Sequence, residues 1–73
     1  MHEYKIELIT RADVDEFVRI TSSLDGKIQV LDNDGHCVNA KSLLGMIYAL
    51  EFSTMTCRAE EEIYTKIQKF CAS

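Results

Sequence analysis

Lys41-Ser42-Leu43-Leu44-Gly45-Met46-Ile47-Tyr48-Ala49-Leu50 is the stretch on which the reading of this chain turns. None of the eight residues from Leu43 to Leu50 carries a charged or strongly polar side chain. A helix packed on one side of a small domain buries only a stripe, so an element apolar on nearly every face leaves some of that surface outside. Helix geometry permits Met46 and Leu50 to face the sheet while part of the set Leu43, Leu44, Ile47 and Tyr48 stays outside. The competing reading makes all of them core, but a helix this short cannot turn Leu43, Leu44, Met46, Ile47 and Tyr48 inward together. Ser42 suits the N-cap, which by itself stabilises by roughly 1 kcal/mol. It is also a hydroxyl that accepts phosphate chemically, at a place where the helix dipole favours negative charge.

Working outward, Tyr4, Ile6 and Leu8 alternate with Lys5 and Glu7, the period of a half-buried strand. From Arg11 the period changes, with Val14, Phe17, Val18 and Thr21 at i, i+3, i+4, i+7. Thr10 or Asp13 is the cap of this amphipathic helix, and Asp25-Gly26 its end. Ile28 and Val30, the turn Asn33-Asp34-Gly35, then Val38 and Ala40 read as a hairpin. After the Ser42–Leu50 helix, Phe52 to Arg58 alternates again as a fourth strand. The last element places Ile63, Ile67, Phe70 and Cys71 on one helical stripe, with Glu60, Glu61 and Glu62 at its positive start and Lys66 and Lys69 toward its end. The order β-α-β-β-α-β-α predicts an α+β fold, a four-stranded antiparallel sheet covered on one face by three helices. The expected core is Ile6, Leu8, Phe17, Val18, Ile28, Val30, Met55, Ile63, Ile67 and Phe70.

A chain of 73 residues predicts one domain, 1–73, without the size for a deep enzymatic cleft. Its net charge of -4 argues against nucleic acid, which selects clustered Lys and Arg. No apolar run approaches a bilayer span and no basic flank precedes one, which predicts a cytoplasmic protein with protein partners and no membrane contact. Three cysteines without CxxC spacing point to reduced thiols, Cys57 and Cys71 in the core and Cys37 accessible. His2 stands at a terminus and is read as inert. His36 and Cys37 are neighbours beside a turn, and with no third or fourth ligand at recognisable spacing they read as a plain strand pair and not as a metal site. No catalytic triad, carboxylate dyad or phosphate-cradling glycine loop is present, so the sequence predicts neither an enzyme nor a cofactor.

The segment Val38-Asn39-Ala40-Lys41-Ser42-Leu43-Leu44-Gly45-Met46 resembles the regulatory-serine segment of HPr, the small phosphocarrier of the bacterial sugar phosphotransferase system. The element order agrees throughout, so the resemblance covers nearly the whole chain. It implies an open-faced β-sandwich. It also implies that Ser42 matches the serine phosphorylated in regulated members, with Leu43, Leu44 and Ile47 matching apolar residues that dock on a kinase and on a transcription regulator. Carriers of the family hold phosphate on a histidine at the start of the first helix, inside a pattern like G-[IL]-H-A-R-P-A. Here that region reads Leu8-Ile9-Thr10-Arg11-Ala12-Asp13-Val14, which puts Thr10 or Ile9 at the histidine's place and adds Asp13 and Asp15 to the same turn. The resemblance, with this departure, implies a non-catalytic regulatory or interaction module acting through the Ser42 helix. Its rivals are an atypical phosphocarrier and a degenerate paralogue that pairs with itself.

Overall fold

A computed structural model describes residues 1–72. Four strands, β1 (His2–Ile6), β2 (Ile28–Leu31), β3 (Cys37–Asn39) and β4 (Met55–Ala59), form one sheet in the order β1-β4-β2-β3, and every neighbouring pair is antiparallel. Helices α1 (Arg11–Ser22), α2 (Leu43–Ala49) and α3 (Tyr64–Ile67, continued by a 3-10 turn over Gln68–Phe70) complete an α+β open-faced sandwich.

The period of two along each strand separates the faces. The register aligns Tyr4, Cys57, Val30 and Val38 in one row toward the helices, and Glu3, Arg58, Gln29 and Asn39 in the next row on the open side. Phe17, Val14, Ile28, Val30, Met46, Cys57 and Ile67 are fully buried between the layers, and Phe17 and Phe70 meet edge to face with centroids 5.6 Å apart. The open side carries a Glu3–Arg58 ion pair at 3.1 Å.

Of the expected core, Ile6, Leu8, Phe17, Ile28, Val30, Ile63, Ile67 and Phe70 are buried. Val18 and Met55 are only half-buried, Val18 on the flank of α1 and Met55 at the start of β4, where it pairs with Ile6 but not with β2. Leu50 and Cys71 likewise pack on the core while keeping an exposed side. His2 is not loose: it pairs with Ala59 in the sheet, its side chain exposed.

β4 begins at Met55 and not at Phe52, and three further boundaries differ from the expectation where the chain finds tertiary hydrogen bonds. β1 ends at Ile6, and the chain beyond it pairs with the C-terminal segment through Glu7 N–H to the Phe70 carbonyl at 2.8 Å. Helix α1 ends at Ser22, short of Asp25-Gly26. There the Thr21 hydroxyl donates to the Ala40 carbonyl at 2.8 Å, and Gly26 turns the chain at φ +83. The acidic run Glu60–Glu62 precedes α3 instead of starting it. Glu60 accepts the Lys27 N–H at 2.8 Å, and Glu62 accepts the Tyr4 hydroxyl at 3.1 Å and the Tyr64 N–H.

Candidate functional site

The short helix α2 starts where the Ser42 hydroxyl accepts the Gly45 N–H at 3.1 Å, so Ser42 is the N-cap. Behind it the chain is anchored on both sides. Asn39 Oδ1 accepts the Lys41 N–H at 2.9 Å, and Lys41 Nζ donates to the Leu24 carbonyl at 2.6 Å, just past the end of α1. Gly45 lets the helix lie close on β3, since a Cβ there would stand 3.3 Å from Val38 Cβ and 3.4 Å from Ser42 Oγ.

With that orientation fixed, Met46 and Ala49 point inward and are fully buried. Leu43, Leu44 and Tyr48 point outward, at 40%, 81% and 51% exposure. Ile47 falls between: it is half-buried and packs on the core, so it belongs to the base of the patch more than to its surface. The four candidates therefore share one side of α2, with Leu44 the most exposed of them.

An aromatic cluster continues this surface, and sequence reasoning did not foresee it. Tyr48 and Phe52 meet edge to face at 5.6 Å, His36 stacks on Phe52 at 5.9 Å, and His36 meets Tyr48 at 6.5 Å. The i, i+4 spacing of Tyr48 and Phe52 was a readable signal for the pair. The arrival of His36 was not, because it depends on the β2–β3 turn folding back over the end of α2.

His36 is held by that turn. Asp32 accepts the backbone N–H groups of Asp34 and His36, each at 2.9 Å, and its other oxygen lies 2.8 Å from His36 Nδ1. Burial opposes the charge on Asp32, yet the hydrogen bonds from His36 and Asp34 outweigh it and hold the carboxyl below its ordinary range. Gly35, at φ +95, supplies the left-handed residue of the turn. Asp32, Asp34 and His36 each bring one ligand atom within 4.8 Å of the others, so His36 lies in the turn beside two aspartates and does not form the strand pair with Cys37 that was expected. Cys37 is exposed on β3.

The start of α1 is chemically different. Thr10 Oγ1 accepts the Asp13 N–H at 3.2 Å, and Asp13 Oδ2 accepts the N–H groups of Ile9 and Thr10 at 3.0 and 3.1 Å, a reciprocal capping box. The N–H groups of Ile9 and Thr10 hold the Asp13 carboxyl below its usual range. Three N–H groups at this helix start, those of Ile9, Thr10 and Asp13, are thus already taken by side chains of the chain itself.

Among the thiols, Cys57 is buried, and burial, with the Cys71 thiol adding to it, pushes its pKa up to about 12. It is a packing residue and no nucleophile at neutral pH. An open cavity of about 300 Å³ lies between the ends of β1 and β4 and the segment after α2, lined by Lys5, Leu8, Leu50, Phe52, Thr54 and Met55 among others. No helix among the described residues is long and apolar enough to cross a membrane.

Fold and site together define an open-faced α+β domain with an apolar, aromatic-edged helix face. No family model, curated protein or solved structure matches the chain.

Proposed function

We propose that this chain is an HPr-like domain without the carrier histidine, a non-catalytic cytoplasmic module that binds a protein partner through α2. The observation that carries the reading is the exposure of Leu44, 81%, beside Leu43 and Tyr48 on one side of a helix whose other side is fully buried. Leaving such a residue in water forgoes the roughly 1.5–3 kcal/mol that burying a leucine yields, and contiguous apolar surface of this kind marks contact sites. The AKSLLGM segment adds the resemblance, in which Ser42 is the residue that a kinase would modify. A phosphate on Ser42 would stand next to Leu43 and Leu44 and alter what docks there.

The capping box at α1 supports the other half of the reading. With the Asp13 carboxylate bonded to the Ile9 and Thr10 N–H groups, and Arg11 paired with Asp15 at 3.6 Å, a phosphoryl group there meets the negative charge of Asp13 and an arginine already engaged. His36 stands at the β2–β3 turn and His2 in β1, so neither belongs to the Thr10–Asp13 cap.

The test pairs two assays. Incubation with phosphoenolpyruvate and the histidine-phosphorylating first enzyme of the transport pathway is expected to leave the chain unlabelled, and acid-labile phosphate on either histidine would make it a carrier. Capture of partners from the native cell by the wild-type chain is expected to fail for Leu44→Asp. If that variant captures the same partners, α2 is not the binding surface.

A further inference from the structure

Resting on that reading, we propose that the partner presents a cationic side chain, best an arginine, beside its apolar contact, and that the His36–Tyr48–Phe52 cluster with Asp34 is the seat for it. Three observations meet at this place. First, Tyr48 is half-exposed one helical turn from Leu44 and meets Phe52 edge to face, and a guanidinium stacks on an exposed aromatic face more favourably than an ammonium does. Second, carboxylates stand at its edge. Asp34 is exposed, and an oxygen of its side chain lies within 4.8 Å of a His36 ring nitrogen and of the Asp32 carboxylate. Exposed Glu51 follows α2, its N–H bonded to the Tyr48 carbonyl at 3.1 Å.

Third, this chain's own nearby cations do not fill the seat. Lys41, the basic residue next to the patch in sequence, turns its ammonium to the Leu24 carbonyl at 2.6 Å. Lys5 lines the cavity that Phe52 also lines, and one ammonium does not balance Asp34 and Glu51. The Asp34 side chain takes part in none of the turn's hydrogen bonds among the described residues, in contrast to Asp32, so it is free to bind without unlocking the turn.

The same charges argue against a second copy as occupant. The chain carries a net charge of -4, and the exposed side of α2, Leu43, Leu44 and Tyr48, offers no arginine or lysine to a symmetry mate's Asp34. An apolar stripe flanked by arginines matches the surface on both counts, apolar against Leu43 and Leu44 and cationic against the aromatic–carboxylate edge.

The probe is a synthetic amphipathic helix with a leucine stripe flanked by arginines, compared with a copy in which every arginine is glutamate, each titrated into the isotope-labelled chain and followed by NMR. The arginine peptide is expected to shift the amides of Leu43, Leu44, Tyr48 and Phe52 and the His36 ring, and to bind about tenfold more tightly than its glutamate copy. Asp34→Asn, which keeps the shape of the turn, is expected to shrink that ratio severalfold while leaving the melting midpoint in place. Equal affinity of the two peptides at these residues overturns the cationic seat while leaving α2 as a docking surface. Leu44→Asp is the control for that surface: if it does not weaken the arginine peptide, or if the shifts map to the open sheet around Glu3 and Arg58, the seat and the docking reading fail together. Concentration-dependent shifts at Leu44 and Tyr48 with no peptide present would mark a second copy as the occupant and also overturn the inference.

Discussion

The starts of α1 and α2 use the same device, a hydroxyl that accepts the N–H three residues on, and put it to opposite use. At α1 the cap is closed: Thr10 and Asp13 satisfy one another and the Ile9 N–H as well, and Val14 and Phe17 behind them go straight into the core. At α2 the cap is a lone Ser42, no acidic residue follows it, and the first two residues of the helix, Leu43 and Leu44, face water. A helix start can thus be completed by its own polar side chains or left with apolar residues outside, and the second arrangement is what a binding surface needs. Burial is concentrated in α1 and the inner side of α2, and apolar exposure on the outer side of α2.

The sharpest way to break this comparison lies within α2 itself. Met46→Ala should cost about 2–5 kcal/mol, since it removes a fully buried side chain, whereas Leu44→Ala should stay within about 0.5 kcal/mol. Chemical denaturation of the two variants measures the difference, and equal losses would place Leu44 in the core. Next in size is the strut between the two helices. Thr21→Val removes the hydroxyl that serves the buried Ala40 carbonyl, and leaving that acceptor unpaired should cost about 1–3 kcal/mol in the same assay.

Smaller is the cap of α1, where Thr10→Ala should cost about 1 kcal/mol. Its partner Asp13 sets a pH signature. Because the folded-state pKa of Asp13 lies below the ordinary 3.8, its contribution is fully present above that value and is lost as pH falls through the folded pKa. Asp32 acts in the same direction. Acid titrations of the melting midpoint should therefore show a shallower decline for Asp13→Asn than for the wild type. An unchanged slope would mean that the capping box does not persist in solution. Least of all, Ser42→Asp should move the midpoint by no more than about 1 kcal/mol either way, because an aspartate caps as well as a serine and suits the helix dipole. A large loss would show that the Ser42 hydroxyl is needed for packing rather than for recognition.

What the sequence disclosed follows the same division. Strand periods, the α1 stripe and the hairpin were legible because each rests on spacing within a short window, and the sheet then assembles as expected. That part of α2 faces out was legible too, through the absence of any charged or strongly polar residue in Leu43–Leu50. The missed features are all long-range. Glu60 and Glu62 suit a helix start by local rules, yet Lys27 and Tyr4 draw them into tertiary hydrogen bonds, and α3 begins only at Tyr64. Ile47 was placed on the surface from its match to a docking residue, but it packs on the core and is half-buried. His36 carries no local mark of its place beside Tyr48 and Phe52, because the turn that brings it there is ordered by Asp32.

The central claim, that the outer side of α2 is the working surface, is tested most directly by photocrosslinking in the native cell. A photoreactive phenylalanine analogue is placed at position 44, and in a matched chain at position 29, on the open side of the sheet. One dominant adduct with another protein at position 44 and none at position 29 is the predicted result. No adduct at position 44, or the same adducts from both positions, would contradict it.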